Sequence, residues 1–189
     1  DKKVILYAGR LIEIKGVHHV LEVLPEIIRE NPNAVFVVVG SARYGKDIIT
    51  PYVKNLHLLG NQMPSHVRFI PFVPHNEMGN WFRAADVVVV PSAENEAFGL
   101  VNVEAMACGI PVVATRAGGI KEIVRHRETG FLVDPERLKP ELIQAVNRLL
   151  KDESLARRMG ELSADYAAKN FTWKHTAERY AQLLKSIGV

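Results

Sequence analysis

Six short runs of valine, isoleucine and other apolar residues recur along this chain, and longer stretches with helical spacing separate them. The runs are Val4–Tyr7, Val35–Val39, Val67–Phe72, Val87–Val90, Val112–Ala114 and Gly130–Val133. They are nearly continuous rather than alternating, which is the pattern of strands buried on both faces. In Val17–Asn31 the apolar positions Val17, Val20, Leu21, Leu24, Ile27 and Ile28 repeat as one face of a helix, and Asn31-Pro32 stops it. Pro51–Leu59, Asn76–Ala85, Leu100–Cys108 and Gly119–Arg125 fill the next four gaps. Strand–helix–strand order repeated in this way predicts an α/β domain with a single doubly wound parallel sheet of about six strands. Helices cover both faces. After Val133 the pattern is helical only: Asp134-Pro135-Glu136 is a helix start, and Leu138–Lys151, Ser154–Asn170 and Thr172–Ile187 form a C-terminal helical tail.

The rest of the chain excludes several classes. Its 189 residues fit one domain, and 48% apolar residues suffice for a full core. The 24 Lys and Arg are scattered among 21 acids, so no nucleic-acid footprint is expected. A single cysteine, Cys108, allows no internal disulfide and no thiolate cluster, and it suits a reducing, cytoplasmic setting. It ends an apolar helix and reads as packed. No apolar run reaches the ~18–20 residues that span a bilayer. The chain opens on Asp1-Lys2-Lys3 without Met and reads as an excised piece of a longer protein.

In a doubly wound sheet, ligands bind beyond the carboxyl ends of the strands. The loop Gly9–Gly16 places Arg10 and Lys15 beside two glycines at a helix entry, where a diphosphate would find cations and backbone amides; a solvated loop would also read this way. The G-x-G-x-x-G spacing is missing. Gly40–Asp47 follows the P-loop pattern until its last place, where Asp47 stands instead of the magnesium-binding Ser or Thr, so a flexible edge loop is expected. In the fourth loop, Glu96 precedes the helix, Phe98-Gly99-Leu100 begins it with unpaired amides, and Glu104 lies one turn inside an apolar stretch. Helix-dipole complementarity and a solvated face would also account for the two acids, and a glycosidase carboxylate pair is a weaker reading. Gly118-Gly119 either closes against ligand phosphates or forms a tight turn. His18 and His19, adjacent on a helix, should point apart and hold no metal. Trp81, Phe82 and Trp173 read as core or interface anchors.

Taken in order, Gly9-Arg10, Lys15-Gly16, the Glu96-x7-Glu104 segment through Gly109-x-Pro111-Val112-Val113-Ala114, Gly118-Gly119-x-x-Glu122 and Gly130-Phe131-Leu132-Val133-x-Pro135 resemble the family 4 retaining glycosyltransferases of the GT-B fold, a group 1 family. The resemblance runs from Val4 to Phe171-Thr172-Trp173. It implies that residues 1–189 are the Rossmann-like C-terminal, nucleotide-sugar-binding domain, with the N-terminal acceptor domain absent from this chain. Arg10, Lys15 and Glu96 would be the catalytic groups: the two cations on the donor diphosphate, Glu96 on the sugar hydroxyls. Gly9, Phe98, Gly99 and Leu100 would line the donor, Glu104 would hold the ribose hydroxyls, and the base would rest near Phe72-Val73. The nucleotide-sugar, by default a UDP-sugar, is a substrate, so neither a cofactor nor a metal is expected.

The acceptor, a saccharide or other hydroxyl compound, would bind through the N-terminal domain, and so would any membrane. The chain alone should not transfer sugar. Two positions depart from the family pattern: Pro71, where Gly is frequent, and Gly40-Ser41-Ala42-Arg43, where many members have Gly-x-Gly. The stretch Ser41–Pro51 is also similar to spore-coat-type members. A module without catalysis that serves in assembly, and an epimerase or phosphorylase with the same donor site, are the alternatives. The cleft face and the segment Thr172–Ile187 should meet the further domain and leave an apolar patch here.

Overall fold

The structure, a computed structural model, describes residues 2–43, 48–93 and 96–188. Six parallel strands form one sheet: β1 (Lys3–Ala8), β2 (Ala34–Val39), β3 (Val67–Ile70), β4 (Val87–Val90), β5 (Val112–Thr115) and β6 (Gly130–Val133), in the order β3-β2-β1-β4-β5-β6. Helices α1 (Val17–Glu30), α2 (Pro51–Gly60), α3 (His75–Arg83), α4 (Leu100–Ala107) and α5 (Ile120–Ile123) follow the first five strands, and α6 (Leu138–Lys151), α7 (Glu153–Asn170) and α8 (Trp173–Ser186) follow the last. The sheet is the Rossmann-like one expected, with its helical tail.

Residue parity decides which face each strand side chain covers. Ile5, Tyr7, Phe36, Val38, Val87, Val89 and Val113 pack with α1, α2 and α6 on one face. Leu6, Ala8, Val39, Val88, Val90, Val112 and Ala114 pack with α3, α4, α5 and the end of α7 on the other. All four residues of β4, β5 and β6 are buried, which is why these segments read as unbroken apolar runs. Where α1 ends, the buried Asn31 side chain donates to the Ile27 carbonyl at 3.1 Å and to Asn147 Oδ1 at 2.7 Å, and so ties α1 to α6.

Several expectations need correction. The third strand stops at Ile70, because Pro71 has no N–H to continue a ladder. The fifth helix is a single turn, since Val124 turns extended and enters the core. His18 and His19 do not point apart: their ring centroids lie 3.9 Å from each other, and the Tyr52 hydroxyl pairs with His18 Nδ1 at 2.9 Å. Of the three anchors expected in core or interface, Phe82 is core, Trp81 is half-buried, and Trp173, 89% exposed, is not core. Residues 44–47, which complete the P-loop-like run, lie outside the described residues. Helix α8 has no buried residue and presents Trp173, Tyr180 and Leu183 to solvent, as does Ile187 just past its end. Among the described residues, no helix is long and apolar enough to cross a membrane.

Candidate functional site

The strand order reverses direction between β1 and β4, so the loops after these two strands diverge to opposite faces and open a crevice between them. These two loops are joined by a backbone bond from the Ala93 N–H to the Ile14 carbonyl at 2.8 Å. An ion pair between Lys15 Nζ and Glu96 Oε2 adds to it, with the side chains 23% and 12% exposed. Gly16 sits at φ +70, and a Cβ there would lie 2.0 Å from the Pro91 carbonyl oxygen, so only glycine lets the β1 loop pass this close to the end of β4. The loop after β5 locks the other side. Gly118, at φ +44, packs its α-carbon against the Glu96 backbone, where a Cβ would come within 1.9 Å of the carbonyl oxygen, and the Gly119 N–H donates to that oxygen at 3.0 Å. The glycine pair therefore serves as a tight brace behind Glu96.

Beside this junction lies a cavity of about 400 Å³. The ends of β1 and β2, the segment after β3, and one side of α4 enclose it. It gathers six of the anticipated residues: Gly9, Arg10, Phe72, Val73, Leu100 and Glu104. The Arg10 side chain is exposed at the mouth, and its carbonyl accepts from the Tyr7 hydroxyl at 2.8 Å. Lys15 and Glu96 stand next to the cavity and not in its wall. Phe98 faces a second hollow of about 950 Å³ that continues past Leu100 and Glu104 to α8, and it meets Phe171 edge-on at 6.2 Å between centroids. Gly99, at φ +85, is the N-cap of α4 and offers no side chain to the first amides of that helix.

Among the described residues, Glu104 is the one carboxylate in the cavity wall. Burial among apolar neighbours pushes its pKa above the usual carboxylate range, and His75, whose Nδ1 is 3.8 Å from Glu104 Oε1, opposes that shift. Met78 and Val39 were not anticipated as part of the site, and His75 and Gly40-Ser41 were anticipated only as parts of the strand-to-helix loops Phe72–His75 and Gly40–Thr50, not as donor-binding residues. The available signal for His75 was its place as the first residue of a helix that opens directly after Phe72-Val73-Pro74. No group of three or more His, Cys, Asp and Glu side chains that could hold a metal occurs among the described residues.

The pattern described as "Glycosyl transferases group 1" matches residues 1–165. Spore coat protein SA of Bacillus subtilis is 34% identical over 177 residues, covering 94% of this chain and 47% of that protein. The crystal structure of Anabaena HepE in complex with UDP-glucose superposes with a TM-score of 0.84 at 30% identity, over 98% of this chain and 49% of that one. The C-terminal domain of the group 1 glycosyltransferase LpcC from Francisella tularensis superposes with a TM-score of 0.77 at 28% identity, over 90% of this chain and 87% of that one. The chain spans about half the length of the curated relatives it matches. On its sequence pattern, its sheet order and the site at the switch point, the chain belongs to the glycosyl transferase group 1 family, as a C-terminal domain of the GT-B kind.

Proposed function

We propose that this chain is the donor-binding half of a retaining glycosyltransferase, and that the donor is a nucleoside diphosphate sugar, by preference a UDP-sugar. The convergence of Arg10, Phe72-Val73 and Glu104 on one cavity at the switch point carries this reading. The complex of the similar HepE with UDP-glucose supports uridine as the base. The base would lie on Phe72-Val73. The Glu104 carboxylate would accept from the ribose hydroxyls, with His75 alongside. Arg10, the α4 amides and Lys15 would receive the diphosphate, where partial and full positive charges stabilise a leaving group as it becomes negative. Lys15 is held by Glu96, and this ammonium and carboxylate would stand at the boundary between diphosphate and sugar.

Retention would proceed on one face of the sugar. The bond between the anomeric carbon and the diphosphate oxygen breaks, the acceptor oxygen bonds to that carbon on the same side, and the acceptor proton passes to the departing phosphate oxygen. The two cations would do the charge work without a metal. The acceptor and the remaining catalytic groups would come from a further domain, so this chain alone should bind donor and transfer nothing.

Calorimetric titration with UDP, GDP and ADP tests the reading, repeated on Arg10→Ala and Glu104→Ala. Saturable binding of one diphosphate, weakened about tenfold or more in each variant, is expected, since a charge-assisted contact is worth ~1.5–3 kcal/mol. Loss of binding to all three, in this chain and in the full-length protein, would overturn it. Acceptor-dependent sugar transfer by this chain alone would overturn the division of labour.

A further inference from the structure

The sheet has a free edge at β6, and a trough of about 360 Å³ runs along it between β6 and α6. It shares no lining residue with the donor cavity. Four guanidinium groups line it, those of Arg116, Arg127, Arg137 and Arg148, against two carboxylates, Asp134 and Glu141. Arg137 takes both carboxylates, at 3.6 and 2.9 Å, and Glu141 Oε2 also accepts from the Asp134 N–H at 2.7 Å. The other three cations have no ion-pair partner among the described residues. Arg148 lies over the Phe131 ring at 5.6 Å, which orients the guanidinium without neutralising it.

The turn that opens the trough is unusual in its backbone. Arg127 is the one non-glycine residue with positive φ among the described residues, at +69. Its N–H donates to the Gly130 carbonyl at 2.7 Å, which holds the turn. A left-handed arginine costs roughly 1–2 kcal/mol, and such strain persists only where surrounding contacts enforce it. Next to it, His126 Nδ1 accepts from the Leu132 N–H at 3.0 Å, so the ring proton sits on Nε2 and this ring too can donate. Arg116 and Arg127 line the trough together with this ring, and burial and then their charges depress the His126 pKa. Apart from the Gln144 amide, which offers both a donor and an acceptor, the polar side chains of the trough not yet engaged are therefore donors.

We propose that this edge trough is a second anion site, separate from the donor cavity, which binds a phosphate group through Arg116, Arg127 and Arg148. Its volume suits a phosphate ester with a small organic part, and a phosphate offers the several acceptors that planar guanidinium forks require. A soluble phosphate ester and a lipid headgroup present the same chemistry.

The test is titration of the isotopically labelled chain with inorganic phosphate at constant ionic strength, followed by amide NMR. Saturable shifts are expected at Arg116 and across residues 126–132, and they should persist in Arg10→Ala. Arg116→Gln and Arg127→Asn should each weaken binding about tenfold. Asn is chosen because it tolerates the left-handed backbone, and both positions are exposed, so the fold should survive. Glycerol 3-phosphate and phosphatidylglycerol vesicles then separate the sources: co-sedimentation lost in both variants identifies a headgroup, and binding of the soluble ester without co-sedimentation identifies a metabolite. Shifts confined to Gly9–Lys15, or unchanged affinity in both variants, would overturn the proposal.

Discussion

Lys15 and Glu96 lie 81 positions apart in the chain, and their side chains form an ion pair across the crevice where the sheet reverses direction. The pair is mostly shielded from water, and it joins the loop after β1 to the loop after β4. Removal of either partner leaves the other partly buried without compensation. A double-mutant cycle with Lys15→Ala and Glu96→Ala should therefore show coupling of about 1 kcal/mol or more in urea unfolding, well above the few tenths of an exposed pair. Additive losses would mean that the two groups are independent in solution.

The pH dependence of donor binding should trace to Glu104. Its pKa in the folded chain is raised by burial, so the folded state holds that proton more tightly than the unfolded state does. The stability contribution is therefore full below the unfolded value, near 4.3, and declines as pH rises through the folded value. Binding at the proposed donor site would run the opposite way, because the ribose hydroxyls would need the carboxylate. Nucleotide affinity should fall as pH drops through a point above the usual carboxylate range, and Glu104→Gln should flatten that part of the profile. The same substitution should raise the Tm at neutral pH, by no more than about 2–4 °C, since 31% of the side chain remains in water and screens the charge. An unchanged pH profile in Glu104→Gln would remove Glu104 from the ribose site.

The brace behind Glu96 gives a backbone prediction. Gly118→Ala sets a methyl group 1.9 Å from the Glu96 carbonyl oxygen at a positive φ, so the loop after β4 must move. A loss of about 2 kcal/mol or more in stability is expected, together with weaker nucleotide binding. Native stability and affinity in this variant would show that the two loops are not locked.

The tie between α1 and α6 is equally open to test. Asn31 and Asn147 are each 6% exposed and meet at 2.7 Å. Asn147→Ala strands a buried amide donor, at a cost of about 1–3 kcal/mol in chemical denaturation. Asn147→Asp should recover part of that, since it keeps an acceptor. Equal losses in both variants would assign the effect to packing and not to the hydrogen bond.

The strands were readable in the sequence because their burial on both faces leaves an unbroken valine and isoleucine signature, and β4 is the limiting case. Boundaries failed where one residue outweighs the pattern. Pro71 ends β3 although Phe72 continues the apolar run, and Val124 leaves the helical path because the core accepts it. Six of the anticipated residues line one cavity because the sheet order brings the segments after β1 and β3 together with the first turns of α4. The Lys15–Glu96 pair and the contact of His75 with Glu104 join separate segments, and no local spacing encodes them. His75 reads in sequence as an ordinary polar residue at a helix start.

The apolar stripe of α8, whose Trp173, Tyr180 and Leu183 line the second hollow, bears on what the chain does by itself. Trp173, Tyr180, Leu183 and Ile187 fall at intervals of seven, three and four residues, which places them in one stripe, and each is more than half exposed. Such a stripe is too apolar to stay solvated at high concentration. In the proposed full-length enzyme the further domain would cover it. The isolated chain should then self-associate across the micromolar range in sedimentation velocity, and Trp173→Glu with Leu183→Glu should return it to a monomer. Because neither side chain is buried, the double variant should keep its Tm. A chain that stays monomeric at high concentration without these changes would show that the stripe is tolerated in water, and would remove the main sign that another domain packs there.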